Sequence, residues 1–373
     1  MRPEMIVAVK EFRDYLTSKR FLLIFAVLLL MCIAAIIAGV ASYNTQVSTY
    51  NQAVSRVSTN TTGGFRYSPT MPSIMLIFES FSASFVIVGW LLAIAIGFDL
   101  ISKEKESGSL KLLLARPTFR DSIINGKIIG STAILLVALG GTFLVTVALL
   151  LFQGIIPSGD DLTRLVTFFV MLMLFSLAFL SVAIAASALS KNSTLAILMA
   201  IGFVVFSLLV PSFSNSVSNI VLGTAPSAMI TSAATSSSSG SSSDNSQTGA
   251  VAPGGFGGAT VAFNSSSGRT EVRMEVNPAY TTYVNSENAI TEAMDLVSPT
   301  SDLTAISAVI VDGQSSPEAT SNLAGAFNIR GVTTTPTLGS SISSILPQII
   351  SLLVITIVGF VISYAKFIRM DVR

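Results

Sequence analysis

Residues 80–101 read SFSASFVIVGWLLAIAIGFDLI, residues 102–127 read SKEKESGSLKLLLARPTFRDSIINGK, and residues 128–152 read IIGSTAILLVALGGTFLVTVALLLF. The first and third are apolar over the ~20 residues that a helix needs to cross the hydrocarbon core of a bilayer, and the second is charged. Two membrane helices joined by a polar loop follow. Four more windows reach that length: Phe21 to Ala41, Leu165 to Leu189, Thr194 to Val210 and Ile345 to Phe367. The expectation is an all-α polytopic membrane protein of six transmembrane helices, numbered 1 to 5 through residue 211 and the sixth in 345–373. The fifth is short, and Pro211, which has no backbone donor, should end or break it.

Composition agrees. Hydrophobic residues make up 51% of the 373 and charged ones only 11%, against about 25% charged in an ordinary soluble domain. With 21 Lys and Arg against 20 Asp and Glu there is no basic footprint for nucleic acid. There is no His, and the single cysteine, Cys32, lies in an apolar run. His-dependent catalysis, His or Cys zinc sites and intrachain disulfides are therefore excluded.

The first apolar run is too long for a signal-peptide h-region and lacks a small-residue cleavage pattern. The residues before it, 1–20, place Ile6, Val9, Phe12, Leu16 and Phe21 on one side of a helix, with Lys10, Arg13, Asp14 and Lys19 mostly elsewhere. That pattern predicts an amphipathic helix lying in the membrane interface.

Orientation follows from the Lys and Arg of the connections. Fifteen of the 21 fall on alternate connections: before the first span, between the second and third, at Lys191, and after the sixth. The other six, all Arg, are spread over much longer segments. Both termini are expected in the cytoplasm. Outside lie loops at 42–79 and 153–164 and an insertion at 212–344. In the insertion, residues 231–258 are rich in Ser and Gly and read as flexible linker. Thr270 to Val276 alternates charged and apolar residues, a strand pattern. Ser286 to Leu296 and Asp302 to Val311 read as helices, with Pro299 between them. Asn60 and Asn264 head glycosylation sequons, weak signals in Ser/Thr-rich loops.

Residues 102–127 carry the functional signal. Glu104 and Glu106 form an acidic lead-in, Gly108 and Ser109 a helix start, and Leu110, Leu113 and Leu114 an apolar stripe stopped by Pro117. From pattern alone the stripe serves either protein docking or contact with lipid headgroups. A nucleotide phosphate loop is absent: Gly126 and Lys127 have Asp121 in place of the first Gly and are followed by Ile128.

The run Glu106, Gly108, Ser109, Leu110, Leu113, Leu114, Pro117, Arg120, Gly126 and Lys127 closely resembles the loop between the second and third helices of type-2 ABC transporter permeases. Lys10 to Asp14 through Phe21 is similar to that family's elbow helix, and Ser298 with Pro299 to its Ser-Pro element before the last span. The resemblance covers the membrane core and its cytoplasmic edges but not the Ser/Gly-rich insertion. It implies a coupling helix at about Ser109 to Arg116, seated in a groove of a separate cytoplasmic ATPase. Leu110, Leu113 and Leu114 would be the anchors there, with Glu104, Glu106, Arg116 and Arg120 as a charged rim. It implies also that ATP and Mg bind to that partner, that this chain holds no cofactor or metal and is no enzyme, and that a second permease copy or a paralogue completes the assembly.

Glu79 and Asp99, near the ends of the second span, read as end-of-helix polar residues that reach water. Gly89, Gly97, Gly140, Gly141 and Gly202 read as close helix contacts, and Trp90 as packing or pathway lining. The spans look free of buried charge pairs, which argues against an ion relay and favours an apolar or amphipathic cargo. The expected function is the membrane-spanning permease of an ATP-driven exporter. A non-transporting mechanotransmission or envelope scaffold driven by the same ATPase is the second reading, and a secondary transporter or channel the third.

Overall fold

The computed structural model describes residues 3–59, 72, 74–108, 120–227, 229–236, 260–265, 268–311 and 338–369. Its helices are α1 (Pro3–Leu16), α2 (Lys19–Thr59), α3 (Leu76–Gly97), α4 (Ser102–Glu106), α5 (Arg120–Phe152), α6 (Gly159–Leu189), α7 (Ser193–Leu222), α8 (Pro278–Asp295), α9 (Pro299–Val311), α10 (Leu338–Ser344) and α11 (Leu346–Ile368). Three strands fall between α7 and α8: β1 (Met229–Ser236), β2 (Thr260–Ser265) and β3 (Gly268–Val276). Six stretches among the described residues are long and apolar enough to span a membrane, Lys19–Gln52, Leu76–Glu106, Asp121–Phe152, Gly159–Leu189, Ser193–Ser214 and Leu346–Ile368. The six-helix expectation is borne out.

The chain forms two compact units. The first comprises Met1–Val210, Leu296–Gln314 and Pro336–Arg373. At its centre α3 packs on α6, and α6 packs on α11. Phenylalanines at helical spacing make the first seam: Phe81 meets Phe168 edge-on with centroids 6.3 Å apart, and Phe85 meets Phe175 at 6.2 Å. Gly97 lets the α3 backbone approach α6, since a Cβ there would come within 2.7 Å of the Ala183 methyl. Gly359 does the same for α11 against Ser181. Gly140 and Gly202, expected as contacts, face open space within the described structure, and Gly89 meets the ring of Phe85 on its own helix.

Helix α2 departs from the expected outer loop at residue 42. Its 41 residues span about 61 Å at 1.5 Å per residue, twice the hydrocarbon core. No Gly or Pro interrupts residues 42–59, and hydroxyls there turn back on the preceding turn: Thr45 donates to the Ala41 carbonyl at 3.0 Å and Ser48 to Thr45 at 2.7 Å. Helix α6 begins with a capping box, the Ser158 hydroxyl accepting from the Asp161 amide while the Asp161 carboxylate accepts from the Ser158 amide.

Pro211 does not end the fifth span; α7 runs through it to Leu222. A proline inside a helix leaves the carbonyl four residues earlier without its donor, here that of Ser207. Two hydroxyls from the start of α9 take the place of the missing amide. Ser298 donates to the Ser207 carbonyl at 2.7 Å and Thr300 donates to it at 3.0 Å. The Ser207 hydroxyl lies 3.1 Å from that of Ser298 and 3.0 Å from that of Thr300, so the whole cluster is buried and mutually bonded. Helix α9 itself belongs to the first unit, with Leu303, Ile306 and Ile310 fully buried and with α3, α6 and α11 as its neighbours. The double change Ser298→Ala with Thr300→Val is expected to cost about 1–3 kcal/mol, the penalty of a buried acceptor left unmade. Adding Pro211→Ala supplies the amide again and should return most of that loss, read by thermal unfolding in detergent.

The second unit comprises Pro211–Asp295 and Ser315–Thr335. Its three-stranded antiparallel sheet has the order β1-β3-β2. The alternating segment Thr270 to Val276 is the central strand, as its pattern predicted. Residues 231–236, assigned to the Ser/Gly-rich linker, are instead part of β1, with Thr231 opposite Met274 and Ala233 opposite Val272. Their small side chains supply little drive to fold alone, but pairing with β3 satisfies their backbone groups. Residues 237–259 lie outside the described structure. Helix α8 contains the predicted Ser286 to Leu296 segment up to Asp295. Tyr283 anchors it by donating to the Gly223 carbonyl at 3.2 Å.

Candidate functional site

The residues that flank the predicted coupling helix converge at one end of the first unit. Helix α3 stops at Gly97, and the chain makes irregular turns before α4. The amides of Ile101 and Ser102, which sit at that break, both donate to the Ser187 hydroxyl near the end of α6, each at 2.9 Å. Lys105 then reaches the C-terminus of α6. Its ammonium donates to the carbonyls of Ser187 at 3.3 Å, Ala188 at 2.5 Å and Ser190 at 3.0 Å. Those are carbonyls a helix end leaves without helical partners, at the negative pole of its dipole. Glu106 reaches the N-terminus of α7, accepting from the Ser193 amide at 3.3 Å and the Ser193 hydroxyl at 3.0 Å. Gly108, with φ at +69°, ends this segment in a left-handed conformation that costs glycine nothing.

A buried ion triad stands beside it. The Lys127 ammonium lies 2.8 Å from a Glu11 carboxylate oxygen and 2.8 Å from one of Glu104, with the lysine side chain only 3% exposed. The triad ties α1, α4 and α5 together. It stands at the mouth of the third predicted span, in flanking segments that the expectation of spans free of buried charge pairs did not cover. Lys127 sits between Gly126 and Gly130, and these two glycines allow α1 to lie directly on α5. A Cβ on Gly126 would come within 2.7 Å of the Glu4 carbonyl, and one on Gly130 within 2.8 Å of the Ala8 carbonyl. Because the obstructing atoms include α1 carbonyls and the Cβ atoms of Val7 and Glu11, which no rotamer change can move aside, Gly126→Val or Gly130→Val should each cost about 1–3 kcal/mol. Each should also release residues 3–16 to limited proteolysis. Gly140→Val, which meets open space, is the control.

Tyr15, one turn on from Glu11, donates its hydroxyl to the Ile96 carbonyl at 2.7 Å. Burial raises this phenol well above its ordinary range, and the carboxylates of Asp99, Glu11 and Glu104 push it further the same way. It stays neutral and remains a donor. Asp99 in turn lies 4.0 Å from the Arg20 guanidinium, mostly shielded from solvent, while Glu79 is exposed. Lys10, Asp14, Lys19, Arg20, Lys103 and Ser107 help line a cleft of about 480 Å³ above this network.

Of the predicted coupling residues, Glu104, Glu106 and Gly108 are therefore placed, with both carboxylates bonded to neighbouring helices. Leu110, Leu113, Leu114, Arg116 and Pro117 lie outside the described residues, and Arg120 is the first residue of α5. The sequence reading passed over Glu11, Tyr15 and Lys105 as site residues, and it gave Lys127 no partner. One signal for Lys127 was available: a lone cation between glycines four apart, at the start of an apolar helix, needs a counter-charge from whatever packs on those glycines. On α1 Ile6, Val9 and Leu16 are exposed while Phe12 packs against the core, and Phe21, on α2, is buried. Trp90 packs against the core, and its indole N–H has no hydrogen-bond partner among the described residues. Among the described residues no group of three or more Cys, Asp or Glu is arranged to hold a metal ion.

The family model described as ABC-2 family transporter protein matches residues 5–372. A search among curated proteins finds no match to the chain.

Proposed function

We propose, from the premise that the chain belongs to the ABC-2 family of transporter proteins and is a multi-pass membrane subunit of an ABC transporter, that it is the permease of an ATP-driven exporter. Its partner by family is a cytoplasmic ABC ATPase, which would bind ATP and Mg and carry out hydrolysis; a second copy or a paralogue would complete the membrane path. Both termini are cytoplasmic in this reading, the outer insertion faces the other side, and lipid surrounds the spans.

The observation that supports it is the way both approaches to residues 109–119 are tied down. On one side Glu104, Lys105 and Glu106 bond to α5, α6 and α7; on the other, Lys127 bonds to α1 and α4. A loop that receives thrust from another subunit must pass it to several helices at once, and a segment held only by its own chain ends would yield instead. The inner stripe of Leu110, Leu113 and Leu114 would meet the ATPase, and Arg116 and Arg120 would orient it.

Affinity purification of the chain from its native membrane should bring down a polypeptide with a nucleotide phosphate loop. Reconstituted in sealed vesicles, the pair should move an apolar or amphipathic cargo on addition of ATP to the cytoplasmic face. Recovery with no ATPase would overturn the assignment. ATPase activity without flux of any cargo would favour the scaffold reading instead.

A further inference from the structure

Lys105 and Glu106 are adjacent residues of opposite charge, and each caps a different helix at the same turn. The C-terminus of α6 and the N-terminus of α7 are separated only by Ser190, Lys191 and Asn192. The ammonium is spent on three carbonyls of the outgoing helix end, and the carboxylate on the amide and hydroxyl that open the incoming one. Both signs suit the helix dipoles they meet. Four of the five bonds go to backbone groups. The contact therefore grips the course of the chain at this turn rather than one rotatable side chain. The Ser187 hydroxyl adds a third attachment through the amides of Ile101 and Ser102.

We infer that Lys105 and Glu106 form a two-ended clasp that makes the α6–α7 turn move with the segment leading into residues 109–119. They are positioning residues: they touch neither nucleotide nor cargo. The inference rests on the ATPase-driven reading above and extends it, because it adds a second output. Thrust delivered to the loop after α3 would reach α6 and α7 as well as α3 and α5. The α6–α7 turn, whose only cation is the exposed Lys191, would then need no docking contact of its own.

The chain holds one cysteine, Cys32, and it is buried, so Lys191→Cys in a Cys32→Ser background gives a single exposed labelling site. With the copurified ATPase bound, a spin label at position 191 should change its mobility between the nucleotide-free state and the state trapped with ATP and vanadate. In Lys105→Met with Glu106→Gln, compared with the parent at equal amounts of bound ATPase, the nucleotide-dependent change should fall about fivefold or more, the low end of ordinary coupling between sites. Lys105→Arg with Glu106→Asp should restore it. A full response in the Met/Gln variant with ATPase bound overturns the clasp, as does a silent label in the parent. Should the double variant fail to fold, Glu106→Gln alone, at an exposed position, carries the same test: an undiminished response overturns the clasp. Failure of the parent to bind any ATPase would instead strike at the proposed function.

Discussion

Replacing Lys127 by methionine is expected to destabilise the protein by about 3–5 kcal/mol, because it removes the one cation that two buried carboxylates share. Glu11 and Glu104 are only 12% and 17% exposed and each lies 2.8 Å from the ammonium. Without it they repel each other across a gap that water reaches poorly. Much of the predicted loss is therefore the penalty of uncompensated charge, and not the net worth of the bridge. The triple variant Lys127→Met, Glu11→Gln, Glu104→Gln should recover most of it, since neutral amides need no counter-ion. Thermal unfolding in detergent reads both: the single variant should melt on the order of 10 °C lower, and the triple variant close to the parent. A single variant that melts with the parent would show the triad to be dispensable.

Changing Leu113 and Leu114 together to Asp should abolish copurification of the ATPase. If the two leucines fill an apolar groove on the partner, each substitution removes an anchor and drives a carboxylate into a site that cannot solvate it. Interface anchors commonly carry 2 kcal/mol or more apiece, so losing two weakens binding by about a thousandfold. The permease itself should melt unchanged, because the ties that hold the ends of the loop, at Glu104, Lys105, Glu106 and Lys127, are untouched. Retention of the ATPase by a folded double variant would remove these residues from the interface.

The two predictions divide the loop into an inner part known from its sequence and flanks known from the fold. Six apolar windows, the amphipathic start and the alternating strand at Thr270 to Val276 were legible because each is a local pattern: length against bilayer thickness, or a period of 3.6 or 2. Pro211 misled for the same reason. Its local effect is to break a helix, and only the distant hydroxyls of Ser298 and Thr300, 91 and 93 residues away from the Ser207 they serve, offset that effect. Residues 42–59 read as loop because their polar side chains have no apolar period; Thr45, Ser48 and Thr49 hydroxyls instead bond carbonyls of the preceding turn.

By itself the sequence determined that the chain crosses a membrane six times, which connections hold the positive charge, that no phosphate loop is present, and where a docking stripe resembles that of a known transporter family. Those conclusions depend on composition and on spacing along the chain, and neither changes on folding. Tertiary structure decided which charges are paired and which helices the loop can pull. Glu11 and Lys127 are 116 residues apart in sequence and 2.8 Å apart in space, brought together because Gly126 and Gly130 let α1 lie against α5. In the sequence Lys105 has no assigned role and Glu106 only that of a rim charge; the ends of α6 and α7 give both their partners. A charge pattern states what needs a partner; only packing, which sets distance and excludes water, supplies one.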